Sequence, residues 1–348
     1  MEILDEAYER FRDTGPEWGG NLSNHGPMAV EVLARREFPT VIPRWVDAYL
    51  PRLDRLPPAA QEITDGNWTS ALGDFGRIAD WTGYFNRQLE QQPWRAVLAT
   101  WWPRLLPGVA AGATHGLIRT SHAVRTLSAG DESAAAVGEL ARGLAFWAAL
   151  ATAIPGVGDP DGRLDPAAAL AAVPRIREQE GPLAGRFVQL GDLADWPDAV
   201  AALRPAADAE AVPRLLGALV DAATLRYLTH GHAGPVLLVH TATAPNAVLH
   251  TLPALPMDLW RASLTAAWAA CAAITSTYGP AAGVPRDDLP GAPRDADPVA
   301  EVLDRAVTHG DEHVIKFTDT AAEVYTRTGN PDALAAALRS GELIGSGA

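Results

Sequence analysis

Lysine is almost missing from this chain. Of 28 basic residues in 348, 27 are arginine, and Lys316 is the one lysine. Lysine is ordinarily among the commonest residues. A sequence rich in Ala, Gly, Pro and Arg has the composition of a GC-rich gene, which replaces surface lysine with arginine. A lysine kept against that bias points to chemistry that arginine does not perform. Cysteine is equally scarce: Cys271 stands alone, so an intrachain disulfide and a thiolate cluster for zinc or iron–sulfur are both excluded. Any metal must be held by nitrogen or oxygen. No apolar run reaches the ~20 residues of a membrane span. The start, Met1-Glu2-Ile3-Leu4-Asp5-Glu6, is acidic and lacks the basic and apolar parts of a signal peptide. The expected location is the cytoplasm, with no membrane contact. Positive charge is also short: the net charge of −14 repels phosphate backbones, so nucleic acid is not an expected partner. The glycine patterns of dinucleotide, P-loop and nucleophile-elbow sites are absent. NAD(P)H is therefore not expected to bind directly.

What is present supports a large helical core. Hydrophobic residues make up 48% and charged residues 20%, which argues against disorder. Apolar residues recur at helical spacing over 2–12, over two helices within 27–54 separated near Pro39–Pro43, and over 69–89, 92–106, 108–128 and 132–153. The pattern continues over 166–178, 197–203, 210–229, 257–277, 297–308, 311–328 and 331–339, with Gly and Pro between segments. The one strand-like run, Val236-Leu237-Leu238-Val239, is too short to separate strand from buried helix. The expectation is an all-α fold, a single large multi-helix domain over 1–348. Loops are expected at 155–165 and 279–298, the second long enough for a lid. A faint echo links His115…Ala123-Val124…Thr126-Leu127 with His240…Ala247-Val248…Thr251-Leu252 and hints at internal duplication.

Histidine carries most of the remaining chemistry. Four of the nine sit near expected helix starts or after an apolar run: His25, His115, His240 and His313. Three residues separate His313 from Lys316, so on a helix they share a face. Apolar neighbours Val314, Ile315 and Phe317 favour the neutral amine of that lysine. The plainer alternatives are a surface pair of Glu312 with Lys316, and histidines that are only hydrogen-bonded core residues. Eleven tryptophans either build core or line a pocket for a flat ligand.

At these segments the chain resembles the questin oxidase-like family. The resemblance rests on Asn24-His25, His115-Gly116-Leu117-Ile118-Arg119, His240-Thr241-Ala242-Thr243 and Asp311-Glu312-His313-Val314-Ile315-Lys316. It is joined by the lead-in Trp101-Trp102-Pro103…Pro107-Gly108. It runs through nearly the whole chain in order, and the last motif is the most specific. Met28, and Ser121-His122, replace residues frequent in relatives. The resemblance implies an all-helical oxygenase that cleaves or oxidises polycyclic aromatic polyketides such as anthraquinones. It implies a mononuclear non-haem Fe(II) held by His25, His115, His240, His313 and Lys316, the lysine carboxylated by CO2. Some relatives are described as Baeyer–Villiger-type enzymes served by a separate reductase.

That assignment is chemically coherent. Four neutral imidazoles suit Fe(II) but leave its charge uncompensated, and a lysine carbamate supplies an anionic oxygen. Arginine stays protonated and cannot be carboxylated. The expected partners are O2 and a small aromatic substrate lying against Trp68, Trp81, Trp101 and Trp102, with His122 as the catalytic base. Two rivals stand beside it. One is a metal-free hydrolase or cyclase. The other is a helical ligand-binding scaffold, which predicts histidines scattered in the fold.

Overall fold

The computed structural model describes residues 2–20, 22–181, 183–294 and 296–346. The fold is all-α. The strands among the described residues are the two-residue pieces Glu17–Trp18 and Leu22–Ser23, paired antiparallel. No helix among the described residues is long and apolar enough to cross a membrane. Two compact units make up the chain: Met1–Ala153 with His250–Leu259, and Ile154–Leu249 with Trp260–Ala348.

In the first unit, helices Gly26–Arg35, His115–Ser128 and Ala134–Ala149 form the frame around the histidines. Ser133 starts the alanine-rich helix by accepting the Ala136 N–H at 3.1 Å. That helix crosses His115–Ser128 at backbone contact. A Cβ on Gly116 would stand 2.6 Å from Trp147 Cα, and one on Gly143 2.9 Å from Thr120 Cα. Only glycine permits this approach. Arg119 locks the same crossing, donating to Glu139 at 2.6 and 3.0 Å with both side chains buried.

The expected helix over 108–128 begins only at His115. Gly112, Ala113 and Thr114 have φ of 52°, 54° and 75°, a left-handed turn that keeps the chain out of the helix until that residue. The expected helix over 69–89 is split into Trp68–Ala71 and Ile78–Gln91, because Gly73 at φ 77° turns the chain and Asp74 caps the next piece.

In the second unit, helix Val212–His230 packs on Glu312–Thr328 and Asp332–Leu343, sharing an apolar cluster of Val220, Val324 and Ala333. The helix expected over 166–178 stops at Ala172. Val173 precedes Pro174 and is pushed to extended geometry, ψ 122°. The strand-like run proves helical: Pro235–Leu238 is a short helix packed on Trp260–Tyr278. A further helix, His240–Thr251, follows it, running through Pro245. Proline removes the N–H that would bond the Thr241 carbonyl. The Cys271 thiol donates to that carbonyl instead, at 3.0 Å, and this is where the single cysteine goes.

Residues 155–165 are irregular, as expected. Within 279–298, Asp295 lies outside the described residues, and a short 3-10 turn occupies Arg286–Asp288. Arg286 ties this loop to Asp332 through bonds of 2.7 and 3.0 Å. Pro290, Pro293, Val302, Val314 and Leu338 are among the residues lining a cavity of about 410 Å³.

Candidate metal centre

Histidines are paired in each unit. In the first, His25 precedes helix Gly26–Arg35, and His115 is the first residue of its helix. Both are buried. Their rings meet edge to face with centroids 4.3 Å apart, and their ligand atoms approach within 4.8 Å. The His25 backbone N–H donates to the Tyr49 hydroxyl at 2.9 Å. Gly26 is required beside it, since a Cβ there would come within 2.5 Å of the Phe11 ring.

His115 Nδ1 bonds the Gly112 carbonyl, three residues back. A carbonyl only accepts, so the proton sits on Nδ1, and Nε2 carries the lone pair. An imidazole held this way is the usual form of a metal ligand. The turn behind it is costly. Thr114 is a β-branched residue in the left-handed region, worth ~1–3 kcal/mol of strain. Its side chain makes no cap bond, and Oγ1 is buried without a partner.

In the second unit, His240 and His313 stand with ring centroids 5.7 Å apart. His240 Nδ1 bonds the Leu237 carbonyl at 3.1 Å, the same three-residue reach as at His115. Burial, then the nearby His313 and Lys316, push the His240 pKa well below its ordinary value, so its ring is neutral. Asp311 caps helix Glu312–Thr328 by accepting the N–H of His313 at 2.8 Å and of Val314 at 3.3 Å. The same carboxylate oxygen lies 3.3 Å from His313 Nδ1. Burial raises the Asp311 pKa, but the His313 ring and these N–H groups outweigh it and hold the group in the carboxylate form. Asp311, Glu312 and His313 bring ligand atoms within 4.8 Å of one another.

Lys316 follows on this helix, 3% exposed. Burial lowers its pKa from the usual value to about 7, against the opposing charges of Glu312 and Asp311. A substantial fraction of the amine is therefore neutral at neutral pH, the form that attacks CO2.

His122 lies on the His115 helix, two turns on. Its Nδ1 is 2.7 Å from Glu31 Oε2. Glu31 also binds Arg125, through Nε at 2.7 Å and through Nη2. Arg125 Nη1 in turn lies 3.5 Å from His250. Burial raises the Glu31 pKa, but Arg125 and His122 overcome that and hold it at about 2. Glu31 and Arg125 escaped sequence reasoning. The available signal was a lone carboxylate inside the apolar run Met28-Ala29-Val30-Glu31-Val32-Leu33.

The four tryptophans form aromatic packing in the first unit. Trp101 meets Trp68 at 5.1 Å and Trp81 at 5.5 Å, and Trp102 meets Trp147 at 5.2 Å. Trp81, Trp101 and Trp102 are fully buried, while Trp68 is partly exposed and has Arg104 over its ring.

No protein-family model matches the chain, and no curated protein matches it.

Proposed function

We propose that this protein is a mononuclear non-haem iron oxygenase that oxidises or cleaves a polycyclic aromatic, anthraquinone-like substrate. In this reading His25, His115, His240, His313 and carboxylated Lys316 hold one Fe(II). The observation that carries it is the buried pairing of His240 with His313 beside Lys316. The His25–His115 pair adds to it. Four of the nine histidines, the four of the family-like motifs, lie in two close pairs, which a scattered scaffold does not predict.

The donor set fits iron. Two imidazoles have their Nδ1 protons taken by backbone carbonyls, leaving Nε2 to bind. The lysine is buried and easily neutral, and its carbamate would offset the metal charge. Bound iron supplies the activation of O2. The chain's own residues do the rest. Glu31 accepts the His122 Nδ1 proton and leaves Nε2 as the base for a phenolic hydroxyl. The five donor side chains are buried, His313 at 9% being the most exposed. Any electrons needed come from a separate reductase.

Metal analysis after anaerobic loading tests the reading, together with O2 uptake in the presence of hydroxyanthraquinones. The expected result is about one iron per chain and uptake that depends on it. A folded preparation that binds no Fe(II) sinks the proposal.

A further inference from the structure

The second unit holds a cavity of about 410 Å³, within the size range of small-molecule pockets. Val314 and Thr318 of helix Glu312–Thr328 line it. They share a face, roughly 150° around that helix from His313 and Lys316 at 3.6 residues per turn. The cavity is therefore separate from the candidate metal centre.

Two features mark it as built for an occupant. The first is Thr318, 1% exposed. Thr320, Thr326 and Thr328 of the same helix donate to the carbonyl four residues back, the usual outlet for a helical hydroxyl. Thr318 makes no such bond, and among the described residues its hydroxyl has no hydrogen-bond partner. A buried hydroxyl left in a cavity wall is a hydrogen-bonding group for what enters. The second is Gly341, inside helix Asp332–Leu343 and also in the lining. Glycine weakens a helix interior relative to alanine. Its φ is not left-handed, and a Cβ there would meet His309 Cδ2 at 3.7 Å and Val314 Cγ1 at 3.9 Å, ordinary contact distances. A side chain is thus permitted, and its absence keeps the cavity open.

The lining sets the chemistry of the occupant. Val302, Val314, Ala337 and Leu338 are apolar. Both His309 nitrogens are engaged: Nε2 donates to the Ile344 carbonyl at 3.0 Å, and Nδ1 accepts the Asp311 N–H at 3.4 Å. Arg305 and Glu342 are opposite in sign, with side chains 58% and 46% exposed, and pair with Glu301 and Arg339 at 2.6 and 2.7 Å. They give the cavity no net charge, so an ion entering it would lose water without a dedicated partner.

We propose that this cavity is a small-molecule binding site for an uncharged, largely apolar compound with one oxygen function hydrogen-bonded to Thr318 Oγ1. At the ratio of one benzene to ~150 Å³, it holds up to roughly sixteen non-hydrogen atoms, the size of a two- or three-ring molecule. The inference does not depend on the iron reading.

Calorimetry and methyl NMR of the full-length protein test it with 2-naphthol, naphthalene and 2-naphthoate. 2-Naphthol should bind saturably, about one per chain, with contacts to the methyls of Val302, Val314 and Leu338. Naphthalene should bind roughly five- to tenfold more weakly, and Thr318→Val should bring 2-naphthol down to that level. 2-Naphthoate should bind at least ~tenfold more weakly than 2-naphthol. Gly341→Leu fills the cavity and should abolish saturable binding. No saturable 2-naphthol binding by the wild type, or binding without those methyl contacts, overturns the inference whether or not either variant folds. Undiminished binding to folded Gly341→Leu overturns it too. Equal affinity for 2-naphthol and 2-naphthoate, or undiminished affinity in Thr318→Val, overturns the assigned chemistry.

Discussion

In the first unit the His115 ring follows a left-handed turn of Gly112, Ala113 and Thr114, whereas in the second unit His313, within Trp260–Ala348, follows an ordinary Asp cap. The first arrangement holds its ring against backbone strain and the second without it. The units also differ in charge. Lys316 belongs to the second unit, where it lies close to His240, and Asp311 lies close to His313. One unit offers a buried, closely spaced imidazole pair. The other offers imidazoles together with the one side chain that can gain an anionic ligand atom. This difference teaches that equal histidine pairs need not have equal roles.

The largest expected effect breaks the comparison by removing one member of each pair. If His115 and His240 serve one ion, His115→Ala and His240→Ala each lower bound iron from about one to under ~0.1 per chain, as loss of a metal ligand requires. Two separate ions would instead leave half in each variant. On the proposed function, Lys316→Arg should reduce iron-dependent O2 uptake by roughly a hundred-fold or more, with helical circular dichroism intact, because a guanidinium cannot be carboxylated. Full activity there removes lysine from the site.

Next is Glu31, which belongs to the first unit alone. Its pKa in the folded chain, about 2, lies below the ordinary 4.5, so its stabilisation is complete above the ordinary value and is lost as pH falls toward 2. The shift corresponds to an order of 3 kcal/mol. Glu31→Gln leaves Arg125 buried without its carboxylate and should cost about 3–5 kcal/mol at neutral pH. Acid titrations of stability should show the gap between wild type and variant closing below about pH 3.

Thr114→Gly sharpens the contrast in strain. It relieves the left-handed β-branched residue and its orphaned hydroxyl, so the melting temperature should rise by the equivalent of ~1 kcal/mol. An unchanged or lower value means the turn is not strained as read. The smallest effect is that of Cys271→Ser. Cys271→Ser keeps a donor for the Thr241 carbonyl and should be nearly neutral, while Cys271→Val should cost about 1–2 kcal/mol. Chemical denaturation compares the two.

Most of the helices were legible because amphipathic spacing survives in the sequence, and Asp311 before His313 marks its helix start in the ordinary way. His240–Thr251 was not, since Pro245 and the threonines around it read as a break. Only a packed neighbour, Cys271, relieves the carbonyl that proline frees. Of the site, His313 and Lys316 were legible together because three residues on a helix already define a face. The His25–His115 pair was suggested by motif alone. The bonding of Glu31 to His122 and Arg125 was not legible, because 91 and 94 residues separate it from them and nothing local links them.

Composition and periodicity by themselves determined that this chain is helical, that it has one lysine to spend, and that thiolate metal sites are excluded. These follow from local rules: residue type sets charge and ligand chemistry, and spacing sets which face is apolar. The tertiary structure alone decided which histidines touch, which nitrogen of His115 and His240 keeps its proton, and how far burial lowers the Lys316 pKa. Each depends on distances between groups far apart in the chain, or on a carbonyl's direction and a side chain's loss of water, and only packing sets those.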